Sequence, residues 1–161
     1  MPDFVEEIEH FLGSFSPEEV AVTRHAFRAI LDGRSVTVAG LPAALSLPLA
    51  VVEAAVGRLT ERGIIVVEPQ TGQILGARGL SLTETSHRLL LGGRQRYAFC
   101  AVDAVGIPAA LGDEARVDSR CHHCQAPLTV ALRGGAVVEA PEGMVIWAVE
   151  RDLNRSLRAH T

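Results

Sequence analysis

Cys100-Ala101-Val102-Asp103 puts a thiol three residues ahead of a carboxyl group, and twenty-one residues after Cys100 comes Cys121-His122-His123-Cys124. The three cysteines are the chain's full complement, and they fall within 25 residues. A thiolate is the strongest nucleophile and the softest ligand among side chains, and a carboxyl group can carry a proton to or from whatever the sulfur engages. Positions i and i+3 are neighbours on a helix, so Cys100 and Asp103 could face one substrate. Alone, the C-x-x-D pattern would equally describe a small buried hydrophobe beside a surface carboxylate.

The Cys121-x-x-Cys124 spacing is half of a zinc site, which normally draws two more ligands from elsewhere. No second C-x-x-C exists to supply them, and the strand-then-helix context of a thioredoxin-type redox motif is not apparent around Arg120 to Gln125. Pro127 and the apolar run after it place the motif in a loop or at a strand end. A zinc knuckle, a redox pair and two thiols beside the core all stay open. An odd number of cysteines cannot pair fully within the chain, so packing, metal binding or reactivity must account for them.

The surrounding elements have to position these groups. Asp3 can cap a short helix that runs to Gly13. Ser16-Pro17-Glu18-Glu19 is a fuller start signal, with Ser at N-cap, Pro at N1 and Glu at N3, and Gly33 is the matching stop. A short element over Val38 to Leu45 leads into Ser46-Leu47-Pro48. A further amphipathic helix then runs to about Arg62, with Leu49, Val52, Val56 and Leu59 as its stripe and Gly63 beyond it. Ile64 to Val67 and Gln73 to Leu75 read as a hairpin. Helices followed by a hairpin suggest a winged-helix-like module over residues 1–79.

Beyond Leu80, Ser86 to Leu91 reads as a strand, and Tyr97 to Ala104 reads as a helix stopped by Gly106 and Pro108. Cys100 would then sit near a helix start, where the macrodipole favours a thiolate. Ala115 to Asp118, Pro127 to Leu132, Ala136 to Glu139 and Met144 to Val149 are strand candidates, with Gly134-Gly135 as a hairpin turn. Arg151 to Thr161 reads as a short helix or tail. The fold class expected is α+β, with a mixed α/β core over residues 80–161.

Composition narrows the functions. With 48% apolar and 21% charged residues the chain has the profile of a globular protein. The formal net charge of −4 offers no electrostatic footprint for nucleic acid, and the helix from Pro48 to Arg62 carries only Arg58 and Arg62 as cations against two glutamates. No stretch has the length of a membrane span, and the N-terminal residues lack the pattern of a signal peptide. A cytoplasmic setting is therefore expected. The sequence does not address oligomeric state.

Arg96-Tyr97-Ala98-Phe99-Cys100-Ala101-Val102-Asp103, then Ile107-Pro108-Ala109, then Ala115 to Cys121 leading into Ala126-Pro127-Leu128-Thr129-Val130, resemble in order and spacing the core of the alkylmercury lyases. The resemblance is specific over roughly residues 80–132, and the helical N-terminal region resembles that family's helical domain in outline. It implies that Cys100 attacks the mercury of an organomercurial as a thiolate and that Asp103 moves a proton onto the departing carbon. It implies no required cofactor, mercury as substrate or product, and small-molecule thiols as partners; zinc enters only through the knuckle spacing. The family places a second catalytic cysteine further towards the C-terminus, whereas no cysteine follows Cys124 here. Cys121 matches a family cysteine regarded as non-catalytic. Two other functions fit the residues: a non-enzymatic metal or metalloid binder that uses Cys100, Cys121 and Cys124 as a three-thiolate site, and a metal-responsive regulator acting through the N-terminal module.

Overall fold

The structure, a computed structural model, describes residues 13–146. The expected helix over Asp3 to Gly13 and the C-terminal segment from Arg151 lie wholly or almost wholly outside them.

Helix α1 (Pro17–Asp32) is built as its sequence signals require. The Ser16 hydroxyl accepts the Glu19 N–H at 3.3 Å, the Glu19 carboxylate accepts the Ser16 N–H at 2.8 Å, and Gly33 closes the helix at φ 77°. A 3-10 turn (Val38–Gly40) and α2 (Leu41–Leu45) lead to α3 (Leu49–Glu61). Leu49, expected on the inner stripe of α3, is 52% exposed, and Ala55 joins Val52, Val56 and Leu59 in the buried face instead. The stripe therefore begins one turn later, after the chain has cleared Pro48.

Among the described residues eight antiparallel strands follow: β1 (Ile65–Val67), β2 (Ile74–Ala77), β3 (Leu80–Ser81), β4 (His87–Leu91), β5 (Arg94–Ala98), β6 (Ala115–Arg120), β7 (Pro127–Arg133) and β8 (Ala136–Glu139). They form one sheet in the order β1-β2-β3-β5-β4-β6-β7-β8, with α4 (Ala101–Leu111) inserted between β5 and β6. One hydrophobic cluster runs from Val22 and Ile30 of α1 through Val52 and Leu59 of α3 to Leu89 and Leu132 of the sheet. Burial of such side chains contributes roughly 1.5–3 kcal/mol each, so helices and sheet stabilise one another.

The expected helix over Tyr97 to Ala104 is not what forms. Tyr97 and Ala98 end strand β5, where Tyr97 pairs with Arg88 on one side and Ser81 on the other. The helix starts at Ala101, passes through Gly106 and Pro108, and stops at Gly112 with φ 70°. Strand pairing on both sides of β5 outweighs the local pattern. A proline inside a helix costs about 3 kcal/mol; here Pro108 is among the most completely buried side chains, and that burial helps to offset the cost. The strand expected over Met144 to Val149 also differs, because residues 144–146 have no regular structure and the rest lies outside the described residues.

Arg96 joins the helical layer to the strand that leads into the site. Its buried guanidinium donates to the carbonyls of Ile30 at 2.6 Å and Leu31 at 3.3 Å, satisfying acceptors at the C-terminal end of α1. A Cβ at Gly33 would lie 2.8 Å from this guanidinium, so the left-handed glycine both ends α1 and makes room for the clamp. Arg94 adds a bond to the Asp32 carbonyl at 2.8 Å.

Candidate active site

Cys100 is the N-cap of α4, with extended backbone at φ −147° and ψ 172°. Its thiol takes the place that Ser, Thr or Asp usually holds: Sγ accepts the Asp103 N–H at 3.5 Å, and the Cys100 carbonyl accepts the Ala104 N–H at 2.9 Å. The same sulfur donates to Asp103 Oδ2 at 3.1 Å. The cap geometry thus turns an i, i+3 spacing into direct contact between thiol and carboxylate. Cys100 is 7% exposed and Asp103 half-buried, so the pair sits at the edge of the interior.

The turn between β2 and β3 forms the floor beneath Asp103. Gly79 has φ 84°, and a Cβ there would lie 2.4 Å from the Asp103 carboxyl carbon. Only glycine allows both that backbone conformation and that approach. The Gly79 carbonyl accepts the Phe99 N–H at 2.8 Å, which locks the residue before Cys100 to the same turn. Gly76 plays a parallel part under the Phe99 ring, where a Cβ would come within 2.6 Å of the ring edge. Sequence reading had no means of finding Gly76 and Gly79, because their role depends on what packs over them.

His87 is a third residue that the sequence alone did not single out. Burial pushes its pKa below the ordinary histidine value, and the Asp103 charge opposes this only in part. Its Nδ1 lies 2.6 Å from the Ser119 hydroxyl, and Thr85 beside it donates to the Ala98 carbonyl at 2.6 Å. The start of β4 therefore links the end of β5, which leads to Cys100, with the end of β6, which leads to Cys121.

Cys121 and Cys124 lie in the tight turn between β6 and β7. The Cys121 N–H donates to the Ala126 carbonyl and the Gln125 N–H to the Cys121 carbonyl, both at 2.9 Å, with Gln125 at φ 58°. Hydrogen bonding from the Cys124 and His123 backbone, and from the Cys124 side chain, holds the Cys121 thiol below its ordinary pKa, with desolvation opposing it. His122, His123 and Cys124 are exposed. The structure thus brings Cys100 to Asp103 and Cys121 to Cys124. None of the three cysteines is in a disulfide, and among the described residues no three His, Cys, Asp or Glu side chains gather where they could hold a metal ion. The three thiols do not form one cluster. No helix among the described residues is long and apolar enough to cross a membrane.

Comparison with known proteins bears on the Cys100–Asp103 half of the chain most strongly. The alkylmercury lyase family matches residues 80–161. An alkylmercury lyase of Pseudomonas putida is 39% identical over 100 residues, covering 56% of this chain and 47% of that protein. One from Bacillus cereus is 27% identical over 136 residues, covering 84% of this chain and 60% of that protein. The chain thus spans about half to three-fifths of the length of these relatives. A crystal structure of the mercury-bound form of MerB2 superposes with a TM-score of 0.87 at 32% identity, covering 93% of this chain and 73% of that one. By this match in both sequence and fold, the chain belongs to the alkylmercury lyase family.

Proposed function

We propose that this protein cleaves the carbon–mercury bond of an organomercurial, with Cys100 as nucleophile and Asp103 as proton carrier. The observation that carries the reading is the 3.1 Å contact between Cys100 Sγ and Asp103 Oδ2 in a chain of this family. That contact suits a balanced sequence. The thiol proton passes to the Asp103 carboxylate as the sulfur bonds to the mercury of R–Hg⁺; the Asp103 proton then passes to carbon as the C–Hg bond breaks. R–H leaves, and the metal stays on sulfur. Soft sulfur matches soft mercury, and the carboxyl group is placed to supply the proton that carbon requires.

The backbone around the pair supports this division of labour. The Asp103 N–H bonded to Sγ and the N-terminal end of α4 both favour negative charge on sulfur while the bond to mercury forms. The Gly79 turn holds the carboxylate against the thiol rather than in open solvent. No cofactor enters any step, and a small external thiol would take mercury off Cys100 to complete a cycle. In this reading residues 1–79 act as a winged-helix-like module supporting the core of residues 80–161. The protein would work in the cytoplasm, where thiols stay reduced.

A non-enzymatic thiolate metal binder is the second reading. It is favoured by the exposed turn that holds Cys121 and Cys124, two further thiols with no part in the cleavage reading.

Chromatographic detection of benzene from a phenylmercury salt, with excess small thiol, separates the two. The cleavage reading expects benzene above the thiol-only control. It also expects Asp103→Ala to lower the rate by about 10²–10⁴-fold, the usual scale of general acid catalysis. Benzene no higher than the control would favour the binder.

A further inference from the structure

The cleavage reading uses Cys100 and leaves the other two thiols without a task. We propose that Cys121 and Cys124 form a second, separate site that binds a soft divalent cation such as Hg²⁺ between two sulfurs.

The turn is already shaped for this. The Cys121 N–H to Ala126 carbonyl bond and the Gln125 N–H to Cys121 carbonyl bond, both 2.9 Å, fix the loop at either end, and the second closes a single turn that carries both Cys121 and Cys124. Cys124 and both histidines are exposed, so a hydrated or thiol-bound ion can reach the pair.

Ligand number selects the ion. Among the described residues no group of three or more His, Cys, Asp and Glu side chains is assembled to hold a metal, whereas structural zinc takes four ligands in a tetrahedron. Hg²⁺ is satisfied by two sulfurs in line, and soft thiolates favour it over harder ions. Binding is balanced as one Hg²⁺ and two thiols giving S–Hg–S and two protons.

Position supports the same assignment. Ala98 pairs with His87, and His87 Nδ1 reaches the Ser119 hydroxyl at 2.6 Å, so the ends of β5 and β6 lie on one rung at one end of the sheet. Cys100 and Cys121 each follow that rung by two residues, on strands separated by two strand spacings, about 10 Å. The exposed pair thus follows the same end of the sheet as Cys100. The site rests on the cleavage reading only for the source of its ion.

The test uses the full chain carrying Cys100→Ser, titrated with HgCl₂ against a competing monothiol, reading thiolate-to-mercury charge-transfer absorption and remaining free thiols. One equivalent should consume both thiols. Adding Cys124→Ser should weaken binding by about 100-fold or more, as expected when chelation is lost. Circular dichroism checks that each variant is folded. Free thiols surviving one equivalent, or affinity unchanged by Cys124→Ser, would overturn the proposal. Because Cys100 is absent, neither result depends on turnover, and a failure of cleavage in the native chain leaves this measurement intact.

Discussion

Two segments of this chain share one local design and differ in what stands three residues on. At Cys100 the sulfur accepts the Asp103 N–H, and at Cys121 hydrogen bonding from the backbone that follows holds the thiol below its ordinary pKa. At the first, the partner is a carboxyl group, the sulfur is 7% exposed, and a helix begins. At the second, the partner is another thiol, the turn is exposed, and a strand follows. The backbone supplies the same preparation of sulfur in both places. In the proposed roles, the i+3 side chain and its burial distinguish a segment that delivers a proton from one that holds a metal.

The most drastic way to break this contrast is to convert one motif into the other. Asp103→Cys replaces the proposed proton carrier with a second soft ligand. Cleavage of phenylmercury should fall by about 10²–10⁴-fold, while Hg²⁺ retained after dialysis against monothiol should rise. Cleavage near the native rate would mean that Asp103 is not the proton source.

Gly79→Ala tests whether packing, rather than spacing alone, defines the first motif. The new Cβ would sit 2.4 Å from the Asp103 carboxyl carbon on a backbone at φ 84°. The left-handed conformation alone costs about 1–2 kcal/mol for a residue other than glycine. Urea unfolding should show at least that loss, and cleavage should fall more than stability explains. Gly93→Ala, also at positive φ but with nothing within 4 Å of its Cβ, is the matched control and should lose stability without that added loss of cleavage.

A smaller effect is expected from pH, through the histidine between the two motifs. The pKa of His87 is lowered in the fold, so the folded state favours neutral imidazole. Its contribution to stability is complete above the ordinary histidine value of 6.5 and is lost as pH falls through that value towards the lower folded one. The urea midpoint of the native chain should therefore decline below about pH 6.5, where histidine gains its proton. His87→Gln should flatten that slope in the same range. An unchanged slope would remove His87 from the account.

The smallest change is expected at the exposed turn. Gln125 adopts φ 58°, and Gln125→Gly should relieve about 0.5–1 kcal/mol of backbone strain. Thermal unfolding should move up slightly; a downward shift would show that the Gln125 side chain, bonded to the His122 carbonyl at 3.1 Å, matters more than its backbone.

What could be read from the sequence follows the range of the interactions involved. Helix α1 was legible because its cap, its proline and its stop lie within its own residues, and the Gly134-Gly135 turn because both glycines take positive φ as a tight hairpin demands. Cys100 and Asp103 were legible as a pair because helical spacing is local. Tyr97 and Ala98, the end of strand β5, were misread as helix because the partners of that strand, β3 and β4, are needed to make them strand. Gly79 was invisible because its value lies in what Asp103 requires of a turn more than twenty residues earlier in the chain. The link between His87 and Ser119 spans 32 residues, and nothing in either local sequence announces it.

The central claim, that Cys100 takes mercury while Asp103 supplies the proton, is tested most directly by the mass of the intact protein after one equivalent of phenylmercury. Cys121→Ser/Cys124→Ser serves as the background, so that Cys100 is the sole thiol. In that background the account predicts an adduct that loses its phenyl group and keeps mercury. Adding Asp103→Ala should leave the phenylmercury adduct on Cys100 intact. Equal loss of phenyl from both proteins, or no phenylmercury adduct on Cys100 in the Asp103→Ala protein, would contradict the account.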